Sequence, residues 1–160
     1  MSKKLTAAAT TTCQICGRPI LANTGVIAHH GYKRPGGWQT ASCFGARELP
    51  YEQSRDAIPT CIASIERFIA RKEARIAELE MDPPATLTHQ QYAGFGQTRP
   101  VQIEKPADFD PATARADYRI GSYVSLWLAE KQAAAQAIKA SQADIKTLQA
   151  RYDAWVPPQA

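Results

Sequence analysis

Three cysteines and a histidine pair fall between residues 13 and 43, and no other feature limits the fold of this chain so tightly. The segment begins Cys13-Gln-Ile-Cys16 and continues through His29, His30 and Cys43. Structural zinc takes four ligands in a tetrahedron, drawn mainly from thiolates and imidazoles. A C-x2-C turn aims two sulfurs at one point, and Gly17 permits the tight backbone behind them. The spacing is C-x2-C-x13-H-x12-C through His30, or C-x2-C-x12-H-x13-C through His29. Either leaves room for a two-stranded ribbon that returns a histidine and Cys43 to the knuckle. Strand alternation favours His30, with His29 as the alternate. The expected ligands of a structural zinc ion are therefore Cys13, Cys16, His30 and Cys43.

Four ligands close a zinc site, whereas a catalytic zinc keeps an open position and a nearby carboxylate as base. Glu48 is the one acid in the first fifty residues. Glu52 and Asp56 follow it, but with no histidine or asparagine near them to serve as further metal ligands. The expectation is a non-enzymatic protein with no catalytic residues. Cys61 reads as a small core residue beside a helical stripe, and His89 as a solvated side chain.

Residues 13–50 are rich in turn formers and lack a helical period. "GVIAHH" and "WQTAS" are the expected strands, joined through "GYKRPGG". Residues 1–12 read as a flexible tail with no apolar stretch of a signal peptide. No run reaches the roughly 18 apolar residues of a membrane span. A cytoplasmic protein is expected, and clustered thiols suit a reducing compartment.

The remainder is periodic. Ile58, Ile62, Ile65, Ile69, Lys72, Ile76 and Leu79 step by four and three, a heptad pattern. Pro59 suits a first helical turn, which predicts a helix over 59–81, stopped by Pro83 and Pro84. A second stripe runs Ile120, Val124, Trp127, Lys131, Ala134, Ile138, Ser141, Ile145, Leu148, Tyr152, Trp155 with the same steps. Asp110 as N-cap and Pro111 at the first position predict a helix over 113–155. Residues 82–112 form a proline-rich connector in which "PVQIEK" is a candidate strand. The expected fold is mainly α: residues 51–160 make a long antiparallel helical hairpin (coiled coil), joined to an N-terminal zinc module. The longer second helix would overhang, leaving its surplus stripe for a homodimer or a target.

Charge is unevenly placed. Residues 1–50 hold six basic residues against one acid, while residues 51–160 hold thirteen against fourteen. Such a patch suits nucleic acid or an acidic protein surface. Arg18, Lys33, Arg34 and Arg47 are the candidate cationic contacts. Tyr32 and Trp38 are candidates for stacking or for filling a pocket, although Trp38 also suits a small core beneath the ribbon. So few cations imply weak direct nucleic-acid contact, which favours a protein or nucleoprotein partner.

Residues 13–52, "CQICGRPI…GVIAHHGYKRPGGWQTASCFGARELPYE", resemble a zinc-binding segment of small proteins from bacterial phages, plasmids and integrated elements. The resemblance implies Cys13, Cys16, His30 and Cys43 as ligands, and Gly31, Tyr32, Arg34, Pro35, Gly37 and Trp38 as the connecting turn. By setting, it also implies an accessory factor that disarms a host defence, as anti-CRISPR proteins do. A zinc module with a helical hairpin is similar, more distantly, to regulators of the RNA polymerase secondary channel. Those carry an acidic hairpin tip and a later cysteine cluster, unlike this chain.

Overall fold

The structure is a computed structural model that describes residues 10–22, 25–33, 39–115 and 121–158, with the main chain alone at 32, 33 and 39–41. The fold is mixed α/β, not the mainly α hairpin that the two stripes predict. Among the described residues, two helices, α1 (Ala57–Met81) and α2 (Tyr123–Asp153), accompany three two-stranded antiparallel ribbons. These are β1 (Thr10–Thr12) with β2 (Pro19–Leu21), β3 (Gly31–Lys33) with β4 (Gln39–Ser42), and β5 (Thr86–Gly94) with β6 (Gln97–Glu104). Among the described residues, no helix is long and apolar enough to cross a membrane.

The largest correction lies in the proline-rich connector. Residues 86–104 form the β5–β6 hairpin rather than an irregular link. The candidate strand "PVQIEK" is borne out as far as Glu104, within β6, but the apolar residues of 86–94 are too sparse to announce β5 by period. The turn supplies the signal instead, since Phe95 at φ 48° and Gly96 at φ 74° sit between the paired Gly94 and Gln97. Positive φ at both central positions makes a type I′ turn, whose twist matches that of paired strands.

The second helix is also shorter than predicted. Asp110 caps, but it caps a turn: its Oδ1 accepts from the Ala112 N–H at 2.9 Å and its Oδ2 from the Thr113 hydroxyl at 3.1 Å. The chain breaks at Gly121, φ 81°. Ser122 then caps α2, its Oγ accepting from the Ser125 N–H at 3.2 Å. Ile120, the first residue of the predicted stripe, lies outside the described residues. At the other end, α1 begins two residues before Pro59. The missing proline N–H falls among first-turn donors that have no partner inside the helix, so it disturbs no ladder.

The chain divides into two compact units, residues 1–66 with 143–160, and residues 67–142. In the first, Ile27, Ile58 and Cys13 are fully buried, and Cys61, Ala57, Cys43 and Leu148 pack with them. Cys61 is thus the small core residue expected, its thiol pushed up to about 11 by burial. Arg55 lies over the Tyr152 ring at 3.8 Å and donates to the Tyr152 carbonyl at 2.7 Å.

The second unit gathers Leu79, Leu87, Tyr123 and Trp127. Phe109 meets Tyr123 and Trp127 edge-on at 5.0 and 5.4 Å, and the Trp127 indole N–H donates to the Leu79 carbonyl at 2.8 Å. Lys131, a cation within the predicted stripe, lies 4.4 Å over the Trp127 ring and pairs with Glu80 at 2.7 Å. Its stem covers apolar surface while its charge is matched.

Candidate metal centre

The first unit brings four side chains to one point. The N–H of Cys13 donates to the Arg18 carbonyl at 3.0 Å, and the Gly17 N–H to the Cys13 carbonyl at 3.0 Å. These bonds close the turn that joins β1 to β2. Gly17 completes it at φ 68°, a conformation that costs glycine nothing and other residues about 1 kcal/mol or more. A Cβ there would also strike the Arg151 guanidinium. His30 immediately precedes β3 and Cys43 immediately follows β4, and the Cys43 N–H donates to the His30 carbonyl at 2.8 Å. The β3–β4 ladder therefore sets the distance between these two residues, as the expected ribbon required. "GVIAHH" is not itself a strand, because pairing starts only at Gly31.

The ligand atoms of Cys13, Cys16, His30 and Cys43 all lie within 4.8 Å of one another. The Cys13 and Cys43 sulfurs are 3.8 Å apart, and Cys16 Sγ is 3.4 Å from His30 Nε2. Tetrahedral zinc with bonds of about 2.3 Å to sulfur and about 2.0 Å to nitrogen has S–S edges of about 3.8 Å and S–N edges of about 3.5 Å. Three thiols and an imidazole at these separations can hold a metal ion, and the donor set and spacing fit zinc.

The surroundings orient the donors. His30 Nδ1 lies 2.8 Å from the Ala28 carbonyl. A carbonyl only accepts, so Nδ1 carries the proton and Nε2 turns its lone pair toward the sulfurs. Arg18 Nε donates to Cys16 Sγ at 3.5 Å, and the same guanidinium donates to the Gly31 carbonyl. The hydrogen bond to Cys16 raises the Arg18 pKa. Cys13 and Cys43 are buried. The hydrogen bond from Cys43 pulls the Cys13 thiol down to about 4, while the same bond pushes Cys43 up. The pair thus gives up one proton easily and holds the second. A cation bound between the sulfurs would supply the charge that removes it.

The site is also braced from a distance. Gly45 has no room for a side chain, since a Cβ would lie 2.5 Å from Cys13 Sγ and 3.1 Å from Ile15. Arg151, at the end of α2, donates to the carbonyls of Gln14 and Ile15 at 3.1 and 2.6 Å. Gln14 is 1% exposed. Its Nε2 donates to the Leu49 carbonyl at 2.7 Å, and its Oε1 accepts from the Ala57 N–H at 3.0 Å. Gln14, one of the two residues between the first two cysteines, thus caps the start of α1.

The sequence-predicted contact residues separate. Arg18 is engaged with Cys16. Arg47 is exposed at φ 71°, its N–H bonded to the Ile27 carbonyl at 2.8 Å. The side chains of Tyr32 and Lys33, and the whole of Arg34 and Trp38, lie outside the described residues. His29 is exposed and lies outside the cluster. Of the carboxylates weighed as a base, Glu52 accepts from the Thr12 N–H at 3.0 and 3.1 Å. Gln14 and Arg151 escaped sequence reasoning because each acts on main chain far away in sequence. No protein-family model, curated protein or solved structure matches this chain.

Proposed function

We propose that this is a non-enzymatic binding protein in which Cys13, Cys16, His30 and Cys43 hold a structural zinc ion. The observation that carries this reading is the convergence of four donors, which leaves no protein-free position for a substrate. Zinc here supplies shape. It ties the knuckle to one end of the β3–β4 ladder, where His30 enters β3 and Cys43 leaves β4, and so holds together the two strands that carry "YKRPGGW". That segment, with Arg47, is the proposed contact surface.

The proposed partner is a host protein or nucleoprotein complex, met in the cytoplasm by an accessory protein of a mobile element that disarms a defence. The small number of cations near the site supports this over tight binding to free nucleic acid. Direct DNA or RNA binding is the competing reading, supported by the positive excess in residues 1–50.

Metal analysis of the purified chain should give one zinc per chain, and Cys16→Ser should lose both zinc and fold in the first unit. A zinc-free wild type with unchanged stability refutes the metal reading. Partner capture from host lysate, with and without nuclease, should give a complex that survives moderate salt. Arg34→Ala with Trp38→Ala should abolish it while zinc content stays constant. Tight binding to free duplex DNA that falls steeply with salt would instead establish the competing reading.

A further inference from the structure

The β5–β6 hairpin carries more exposed strand than a two-stranded ribbon supports alone. Its base is anchored, with Leu87 buried and Ile103 packed beside it. Beyond His89 the support ends. Gln90, Gln91, Tyr92 and Ala93 on β5, and residues 95–100 across the turn and β6, are all exposed. Since successive side chains point to opposite faces, both faces of the outer half meet solvent. Isolated two-stranded hairpins are marginal in water, and stability comes with further strands or a packed face.

The two edges differ. Strand β6 carries Arg99, Pro100 and Glu104, whereas β5, "TLTHQQYAG", contains no Asp, Glu, Lys or Arg and no proline. Charges and proline, like bulges, are devices by which sheet edges resist pairing with another chain. The β6 edge carries charges and proline, whereas the β5 edge has only an irregularity between Tyr92 and Gly94, beside the turn.

The register shows which main-chain groups the β5 edge offers. Gln90 pairs with Pro100, and proline has no N–H to give. In an antiparallel ladder, residues alternate between pairs that bond each other and pairs whose N–H and C=O point away. Pro100 belongs to the second kind, and so does Gln90. The turn agrees, because the closing pair Gly94–Gln97 sets Gln97 and Arg99 facing β5 and Pro100 facing out. By period two, Thr88, Gln90 and Tyr92 present their N–H and C=O groups at the outer edge of β5. Among the described residues, no main-chain group bonds to that edge.

We propose that the outer edge of β5 pairs antiparallel with β5 of a second copy of this chain, giving a four-stranded sheet across a two-fold axis. Centred on Gln90, the pairing sets Thr88 against the second copy's Tyr92 and His89 against its Gln91. Gln90 meets its own counterpart. A two-fold strand pair places like residues together at its centre, so a charged residue there would repel itself, and β5 has none. Neutral edge meets neutral edge, with about six main-chain hydrogen bonds from the three outward residues of each strand. Tyr92, 70% exposed in one copy, gains a cross-strand threonine, a favoured pairing for an aromatic ring.

The test is the mass in solution of the full, metal-loaded chain, by sedimentation equilibrium over a wide concentration range. Wild type should reach about 35 kDa, twice the 17.5 kDa of one chain. Gln90→Pro copies on β5 what Pro100 does on β6. It removes an outward donor and leaves the hairpin ladder whole, so it should be monomeric with unchanged circular dichroism. Gln90→Lys sets two like charges against each other at the two-fold and should also be monomeric, which carries the test if the proline variant folds poorly. Phe95→Ala, at the tip, should remain dimeric. A wild type that stays monomeric throughout overturns the proposal. So does a dimer that survives both Gln90 substitutions, which would place the interface elsewhere, as on α2. Loss of the dimer in Phe95→Ala alone would assign it to the tip.

Discussion

Replacing Gln14 by leucine should destabilise the first unit while leaving binding of the proposed metal intact. The amide joins the knuckle to groups 43 and 35 residues further along the chain, since Oε1 takes the Ala57 N–H and Nε2 reaches the Leu49 carbonyl. Leucine matches the volume and adds apolar burial, but it satisfies neither group. The Ala57 N–H lies in a residue only 7% exposed and at the first turn of α1, where no intrahelical partner exists. Stranding a buried donor costs about 1–3 kcal/mol. Burying leucine in place of the amide returns part of that, and solvent can reach the neighbourhood of Leu49, which is 43% exposed. A net loss of about 1–2 kcal/mol follows, or a fall in Tm of roughly 2–8 °C for a chain of this size. Denaturant unfolding of the zinc-loaded protein, followed by helical circular dichroism, measures the loss, with metal content assayed in parallel. A change below about 0.5 kcal/mol would refute the capping role. Full loss of zinc at preserved helicity would show instead that Gln14 serves the site.

Other consequences are as direct. Gly45→Ala forces a Cβ to within 2.5 Å of Cys13 Sγ, and should weaken zinc affinity by about 10-fold or more, read by competition with a chromogenic chelator. Arg18→Gln removes the donor to Cys16 Sγ, and should slow alkylation of the metal-free thiols, because a neighbouring cation favours the reactive thiolate, while speeding zinc release to a chelator; unchanged rates would show that the guanidinium acts only on the Gly31 carbonyl. Trp127→Ala should cost about 3–5 kcal/mol, because it empties the second unit's core and frees the Leu79 carbonyl, while zinc content stays unchanged. For Glu52, burial raises the pKa, but the hydrogen bonds from Thr12 outweigh it and the net shift is downward. A carboxyl lowered on folding stabilises above its unfolded value of about 4.3 and loses that contribution as pH falls through the folded one. Glu52→Gln should therefore lower stability in the neutral region, leave it nearly unchanged below the folded pKa, and so flatten the acid limb of the profile.

The sequence determined the donor set almost unaided. Cys13 and Cys16 must converge because two residues separate them, and the glycine-rich return to Cys43 permits a ribbon and little else. Even the choice of His30 over His29 agrees with the structure, although alternation was applied to residues that form no strand. Pairing begins only at Gly31, and what orients the imidazole is its bond to the Ala28 carbonyl. The stop of α1 before Pro83 and Pro84 was equally legible, since covalent structure forbids continuation there.

Periodicity misled where it was extended past its physical reach. Asp110 and Pro111 carry the chemistry of a helix start, but the same carboxylate satisfies a single turn equally well, and no local signal distinguishes the two. "PVQIEK" was legible as a strand, but β5 lacks apolar alternation because most of its side chains face water, so its pairing is fixed by the turn and by main-chain hydrogen bonds that a hydrophobic pattern does not report. The sequence by itself determined which atoms can bind metal and where proline ends a helix, because those follow from residue chemistry and short spacing. Only the tertiary structure decided that Gln14 caps α1, that Arg151 braces the knuckle, and that β5 presents an unpaired edge. Each of those depends on main-chain groups brought together across long stretches of sequence, and main-chain groups are the same at every residue.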